Sequence, residues 1–179
     1  MEIFNQVIGL MNKEEVRHFK IFTGRTGDKE PRKDLELFDY TRKTGDAYEE
    51  ERIFRKLYGG DDKNSFYRLK NRLLGELNKS LVLQHVEDDD NLHMFHLLSL
   101  GRFYRSRNHY RIALHYIRKA EKKGIQLESY ELLDFIYSEL VYLSQEIISI
   151  NPEDHIRKRK ENREKLHKLR QIEDILAAV

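Results

Sequence analysis

The chain has 179 residues, with 36% charged and 39% hydrophobic side chains, and its 33 basic and 31 acidic groups leave a formal net charge of +2. This apolar content excludes a disordered chain, and the balanced charge gives no global argument for nucleic-acid binding. The chain has no cysteine, which excludes disulfides, thiolate metal sites and cysteine nucleophiles.

The N-terminal part of the sequence predicts helices joined by short polar breaks. Asn12 is a candidate N-cap, because Glu15 follows it at the distance of a capping box. Asp34 is the candidate N-cap of a later helix, and the polar segment 23–33 is expected to be a loop. The second helix carries an apolar stripe made of Val16, Phe19, Ile21 and Phe22. The expected helices cover about 2–11, 13–22, 34–43, 47–58 and 64–86.

The last of these helices has a clear apolar face with steps of three and four residues. Arg68, Lys70 and Arg72 lie near its start, and two short helices precede it across tight turns. A helix-turn-helix unit places such side chains in the major groove of DNA, so nucleic-acid binding is one interpretation. The alternative is a solvated helix face, and no strand pair follows that could form a wing. The apolar face consists of Phe66, Leu69, Leu73, Leu77 and Leu81.

The second half predicts four further helices after the acidic break at 87–90. Gly124 is expected to end the second of them, and Pro152 is expected at the first position of the last. The expected helices cover about 91–106, 109–123, 129–149 and 153–178. The sequence therefore predicts an N-terminal helical unit over 1–86 and helical hairpins over 91–179, as two domains or as one continuous domain.

Residues 94–127 match the 34-residue spacing of a tetratricopeptide repeat. Small residues at Gly101 and Ala113 would let two antiparallel helices approach closely. The matching positions are Leu97, Leu100, Gly101, Tyr104, Ala113, Ile117 and Ala120, while Leu97 replaces the consensus Trp and Ile125 the terminal Pro. The segment resembles tetratricopeptide proteins, which implies an all-α array of stacked antiparallel hairpins whose groove binds other proteins. Candidate partner-binding residues are Arg102, Arg105, Asn108 and Tyr137.

A second resemblance covers roughly 11–86. The pieces LFDYTRK, IFRKLYG, FYRLKNRLL and LNKSL are similar to the N-terminal region of uncharacterised bacterial helical-repeat proteins. That likeness implies that a larger repeat array follows such a segment, and it implies no chemical activity.

The last predicted helix combines a basic run with an apolar stripe. The run consists of Arg157, Lys158, Arg159 and Lys160, and the stripe of Leu166, Leu169, Ile172, Ile175, Leu176 and Val179. Three interpretations remain: a solvated face, contact with an acidic partner or phosphate, and a membrane-surface helix, which the interspersed acids disfavour. Because the chain ends on this stripe, we expect either a fragment of a longer protein or a surface for a partner.

The sequence contains no recognisable catalytic motif. His93 and His96 lie one helical turn apart, but no HExxH or GxSxG motif occurs, and Gly24–Lys29 lacks the pattern of a phosphate loop. We therefore expect no enzyme, no catalytic residue, no cofactor and no metal. The absence of a signal-like start and of a long apolar run predicts a cytoplasmic protein without a membrane partner.

The predicted function is a protein-interaction or scaffolding module that binds a peptide, a helix or a second copy of itself. The alternative is a nucleic-acid-binding regulatory protein that uses the basic helices 64–80 and 157–170.

Overall fold

The protein is all-α over residues 3–24 and 32–178, which are the residues that the computed structural model describes. Those ranges contain nine α-helices, one short 3₁₀ turn at Gly45–Ala47 and no strand, which confirms the expected fold class. No helix in these ranges has both the length and the apolar character needed to cross a bilayer. The helices are α1 (Ile3–Leu10), α2 (Lys13–Gly24), α3 (Lys33–Thr44), α4 (Glu50–Tyr58), α5 (Lys63–His85), α6 (Asp90–Ser106), α7 (Tyr110–Gln126), α8 (Tyr130–Glu146) and α9 (Pro152–Ala177).

The helices form two compact units, which are Met1–His85 (the first unit) and Val86–Val179 (the second unit). The division falls in the acidic segment between α5 and α6. There Asp89 begins α6 as its N-cap, since its carboxylate accepts a hydrogen bond from the backbone N–H of Leu92 at 2.7 Å. The acidic residues therefore interrupt one helix and start the next.

The first unit is built around α5, against which α2, α3 and α4 pack. Most of the predicted apolar face of α5 is buried, whereas Leu81 is only partly covered. Phe19 and Phe38 meet with ring centroids 4.9 Å apart, and they join α2 to α3. The fully buried side chains of this core include Ile8, Phe19, Leu37, Phe38, Ile53, Phe66 and Leu77.

The predicted capping box at the start of α2 is confirmed. The Asn12 side-chain oxygen accepts a hydrogen bond from the Glu15 backbone N–H at 2.9 Å, and the Glu15 carboxylate accepts one from the Asn12 N–H at 2.7 Å. Two N–H groups that the helix itself leaves unpaired are thus satisfied reciprocally. The expected apolar stripe of α2 is correct at Phe19 but wrong at Ile21, which is 48% exposed.

The prediction that Asp34 caps α3 is wrong, because the helix already begins at Lys33. Asp34 lies in the first turn, where its carboxylate forms an ion pair with Arg32 at 2.7 Å. Burial alone would raise the pKa of Asp34, but the hydrogen bonds from Arg32 and from the Leu35 N–H lower it overall. The expected loop 23–33 is also too long at both ends, since α2 runs to Gly24, and residues 25–31 lie outside the described part of the chain.

The second unit is a succession of antiparallel hairpins, in which α6, α7 and α8 each pack against the next helix along the chain. At the crossing of α6 and α7, a Cβ atom on Gly101 would lie 2.7 Å from Ile117 Cγ1 and 3.4 Å from the backbone oxygen of Ala113. The predicted close approach at Gly101 and Ala113 is therefore confirmed. Only a residue without a side chain fits at Gly101 unless Ile117 moves.

Gly124 does not end α7, contrary to the sequence-based expectation, because the helix continues to Gln126. Gly124 is buried, and a Cβ atom there would lie 2.9 Å from Leu133 Cδ2 of α8. The glycine thus allows α7 and α8 to approach, as Gly101 does for α6 and α7. The turn falls instead at 127–129.

The start of α9 follows the prediction. Pro152 occupies the first turn, and Asn151 is the N-cap, whose side-chain oxygen accepts from the Glu153 N–H at 3.0 Å. One turn later His155 is 8% exposed, and its Nδ1 atom has no hydrogen-bond partner among the residues that the structure describes. Burial lowers the pKa of this imidazole, and the nearby Glu121 carboxylate offsets only part of that effect. Burial therefore favours the neutral imidazole of His155 over its charged form.

Candidate partner-binding surface

Two arginines of α6 share one glutamate of α8. Arg102 Nε lies 3.4 Å from Glu139 Oε1, and Arg105 Nε lies 3.2 Å from Glu139 Oε2. The second contact is ionic rather than hydrogen-bonded, because within the described part of the chain neither atom has a partner in hydrogen-bond geometry. The Arg105 guanidinium also stacks on Tyr142 of α8, 4.3 Å from the ring centroid. These side-chain contacts bring α6 and α8 together, although α7 separates them along the chain.

Three large aromatic side chains are exposed on the two helices that carry these ion pairs. Phe95 is 51% exposed, Phe135 is 63% exposed and Tyr142 is 42% exposed. Phe95 lies seven residues before Arg102, and Phe135 lies seven before Tyr142, so each pair occupies one side of its helix. We define the α6–α8 face as Phe95, Arg102 and Arg105 with Phe135, Glu139 and Tyr142. Apolar surface grouped in this way is typical of interaction sites.

The charges of this face leave an accessible cation. The Glu139 side chain is 16% exposed and faces two guanidinium groups, of which that of Arg105 is 25% exposed and that of Arg102 is 63% exposed. One carboxylate balances only one of the two positive charges. Arg102 therefore has donors directed to solvent, and it can bind a carboxylate of a partner in the paired geometry that guanidinium groups favour.

The other two predicted partner-binding residues lie elsewhere. Tyr137 is 6% exposed and belongs to the core of the second unit, where burial raises the pKa of its hydroxyl. Tyr137 therefore offers a partner little surface, and the prediction that it is a contact residue is wrong. Asn108 lies in the turn after α6 with a φ of 61°, and its side-chain oxygen accepts from the Tyr110 hydroxyl at 3.0 Å. It lines a separate surface pocket of about 580 Å³ together with 146–149.

Sequence reasoning found the arginines of the α6–α8 face but missed Phe95, Phe135, Glu139 and Tyr142. A signal for two of them is present in the sequence. The apolar stripe of α8 runs through Leu133, Ile136 and Leu140, and Phe135 and Tyr142 lie outside it. Large aromatic residues away from the core stripe of an amphipathic helix indicate a second apolar surface.

The three residues of the first unit that were predicted to contact nucleic acid differ in their exposure to solvent. Arg68 and Arg72 are exposed, and together with Tyr58 and Ser65 they line a pocket of about 260 Å³. Lys70 is only 4% exposed, which contradicts its assignment as a phosphate contact. Its ammonium group pairs with Glu50 and lies 5.5–6.0 Å from the ring centroids of Phe4, Tyr48, Phe66 and Tyr67. Lys70 is therefore a structural cation, held by the Glu50 carboxylate and by several aromatic faces.

Much of the basic run at the start of α9 is engaged within the second unit. Lys158 forms an ion pair with Glu121 at 2.8 Å, and Arg159 Nη1 lies 3.4 Å from the hydroxyl of Ser138. Arg157 pairs with Asp154 and with Glu161, each at 3.5 Å, and Lys160 is exposed. The run therefore serves in part to attach α9 to α7 and α8.

In the described ranges, no three His, Asp or Glu side chains are arranged to hold a metal ion. His93 lies in the first turn of α6, and its Nδ1 atom is 2.7 Å from the carboxylate of Glu87, which precedes the helix. A scan against protein-family models, a search of curated proteins and a search of solved structures each gave no match. What the protein binds must therefore be inferred from its own surface.

Proposed function

We propose that the second unit is a protein-interaction module that binds a peptide segment of a partner across the α6–α8 face. One observation carries the proposal: Phe95, Phe135 and Tyr142 expose 42–63% of their surface on the two helices whose Arg102 and Arg105 share the single glutamate Glu139. Aromatic residues and arginine are the side chains that contribute most to protein interfaces. The resemblance to tetratricopeptide repeats supports the same function.

The face favours a peptide that carries apolar side chains next to a carboxylate. Apolar groups would cover the exposed rings, at about 25 cal/mol per Å² removed from water. A carboxylate would pair with Arg102, whose charge Glu139 does not fully balance. Because a face with three rings and one accessible cation is smaller than a standard protein interface, we expect dissociation constants on the order of micromolar.

The test is selection of peptides from a displayed random library on the full chain, followed by titration of synthetic peptides. Phe135→Ser and Arg102→Glu should each weaken binding about tenfold or more, the second most strongly for peptides with a carboxylate. Phe103→Ser is the matched control. Phe103 is similarly exposed on α6 (45%), but it stacks on Arg107, which is not part of the α6–α8 face. Failure to select any peptide, or equal binding by all three variants, would contradict the proposal.

Nucleic-acid binding is the second candidate, and the pocket that Arg68 and Arg72 line in the first unit favours it. Two phosphate contacts would make log K fall with log salt with a slope of about −1.8 for duplex DNA. Arg68→Glu with Arg72→Glu should abolish binding, while Arg17→Glu, at another exposed arginine of the same unit, should not. No binding to mixed duplex or single strands at about 50 mM salt would rule this candidate out.

A further inference from the structure

The exposed side of α7 carries four permanent cations and no carboxylate. Arg111, Arg118 and Lys122 follow one another at steps of seven and four residues, so they lie on one side of the helix. Lys119 is exposed next to Arg118, and His115 is exposed between the two arginines. We call the four permanent cations, Arg111, Arg118, Lys119 and Lys122, the α7 basic row, which extends over about 16 Å. The opposite side of α7 is buried and consists of Ala113, Ile117, Ala120 and Gly124.

The charges of the α7 basic row are not balanced within the described part of the second unit. Among the described residues, no carboxylate oxygen lies within 4.0 Å of a side-chain nitrogen of the row. Asp90 beside α7 is engaged by Lys123 at 2.8 Å. Glu121 of α7 itself is engaged by Lys158 of α9 at 2.8 Å. The basic run of α9 differs, because Arg157 pairs with two acidic residues of its own helix.

Helix stability does not account for the α7 basic row. Arg118 and Lys122 are four residues apart, and like charges at this spacing destabilise a helix slightly. Basic residues near the end of a helix are favoured by the helix dipole, but the effect is confined to the last turn, where α7 has Lys123. The row is therefore a surface that repels itself, and a polyanion would neutralise it.

The surroundings of the row favour the phosphate backbone of a duplex over other polyanions. Protein interfaces depend on aromatic anchors, and single strands stack their bases on exposed rings. Both tyrosines of α7 are partly buried, and its exposed large apolar residues are Ile112 (44%) and Ile125 (52%), near the two ends of the row. Cations along a straight helix match a duplex, whose phosphates follow one another continuously and need no aromatic contact.

The second half of the row opens onto a surface pocket of about 430 Å³. Three ammonium groups line this pocket, and Asp90 balances one of them. A phosphate group in this pocket would therefore meet two unpaired lysines, with Arg118 one turn before Lys122. The first residue of the row, Arg111, shares another pocket with Glu146, so we expect it to contribute less. The residues that line the larger part of the site are Asp90, Lys119, Lys122, Lys123, Gln126 and Leu127.

We propose that the α7 basic row binds the sugar–phosphate backbone of duplex nucleic acid without reading the base sequence. Four phosphate contacts would make log K fall with log salt with a slope of about −3.6, so affinity should drop about a hundredfold between about 50 and 200 mM salt. The row lies on another helix than the α6–α8 face and in another unit than Arg68 and Arg72. The inference therefore depends on neither earlier candidate.

The first experiment is titration of labelled duplexes of mixed sequence, DNA and RNA in separate arms, with the full chain at several salt concentrations. Arg118→Gln with Lys122→Gln should weaken binding at least about tenfold at about 50 mM salt and make the slope less steep by about 1.8. Lys160→Gln with Lys168→Gln is the control, because it removes the same net charge from two exposed lysines of α9. No duplex binding at about 50 mM salt, or an equal loss in the two double variants, would overturn the proposal.

Stability and the first unit provide two further checks on the same variants. Arg118→Gln with Lys122→Gln removes a repulsion, so it should unfold at the same or a higher urea concentration than the original chain. Weaker binding together with a lower unfolding midpoint would show a structural role and contradict the proposal. Arg68→Glu with Arg72→Glu should leave duplex binding by α7 in place. Loss of binding in that variant alone would assign the duplex to the first unit instead.

The second experiment tests for a gain of binding. Gln126 is exposed one turn after Lys122 and lines the same pocket, so Gln126→Lys extends the row by one cation. This variant should bind the duplex several-fold more tightly and make the slope steeper by about 0.9. Gln171→Lys is the matched control, because it makes the same chemical change at an exposed position of α9. Equal gains in both variants would refute a site on α7.

A competition experiment separates phosphate from an acidic protein. Polyglutamate at the same concentration of charge should displace the duplex only weakly, and displacement as effective as that by unlabelled duplex would assign the row to an acidic protein and overturn the proposal. Arg118→Gln with Lys122→Gln should leave binding of the selected peptides unchanged. A chain that binds these peptides but no duplex would remove this inference and leave the proposed function standing.

Discussion

The contact at Gly101 gives a prediction whose sign depends on one neighbouring side chain. In Gly101→Ala the new Cβ would lie 2.7 Å from Ile117 Cγ1, and Ile117 is 1% exposed, so it has little room to move. Overpacking costs about 1–3 kcal/mol, whereas glycine to alanine within a helix gains about 1 kcal/mol. We expect Gly101→Ala to lower the free energy of unfolding by about 1 kcal/mol, measured by urea denaturation followed by circular dichroism.

The same substitution should become favourable once Ile117 is shortened. In an Ile117→Ala background, the alanine at position 101 fills part of the space that the isoleucine leaves, and it should raise the free energy of unfolding by up to about 1 kcal/mol. Gly75→Ala is the control, because a Cβ atom on Gly75 in α5 would meet nothing within 4 Å, and it should stabilise the first unit by a similar amount. If Gly101→Ala stabilises the original protein as much as Gly75→Ala does, the close helix crossing is refuted.

Three further predictions concern stability. Lys70→Met should lower the free energy of unfolding by about 2–3 kcal/mol, which is less than for a fully buried ion pair because the Glu50 side chain is 28% exposed. The double variant Lys70→Met with Glu50→Gln should recover part of that loss, since no unpaired carboxylate remains. His155 has a folded-state pKa below its unfolded value, so the unfolded chain binds more protons below about pH 6.5, and stability should fall as pH drops below that point. His155→Gln should remove this part of the pH dependence, which urea titrations at several pH values would show. Asn12→Ala should cost about 1 kcal/mol through loss of the capping box with Glu15, while an unchanged unfolding midpoint would contradict the cap.

The helix starts were predictable where a side chain acts on its own neighbours. Asn12 and Asn151 cap the helices that follow them because the relevant N–H groups are two or three residues away. The two interior glycines of the second unit show the limit of such local reasoning. Gly101 was recognised because its spacing matched a repeat, whereas Gly124 was expected to break α7. Both serve close helix approach, and what distinguishes a breaker from a contact point is a neighbour distant in sequence.

The sides of α5 on which its basic residues lie follow from their spacing in the sequence. Arg68 and Arg72 are one turn apart and share an exposed side, whereas Lys70 lies two residues from each and so points away from them. Lys70 follows Phe66 by four residues and precedes Leu73 by three, which places it on the buried face. Helical spacing thus places Lys70 on the buried side of α5, although the sequence analysis assigned it to phosphate contact. The buried ammonium group is compensated by the Glu50 carboxylate of α4, and this partner could be identified only from the tertiary structure.

Charge alone is a poor guide to function in this chain, because many of its ions are balanced within their own unit. Lys70 is buried with a carboxylate, and Lys158 of the basic run is paired with Glu121. Within the described part of the chain, the informative side chains are the large apolar ones that remain exposed and the cations that lack such a balance. Phe135 lies one turn before Glu139, which Arg102 and Arg105 share, and this combination favours an apolar partner bearing a carboxylate.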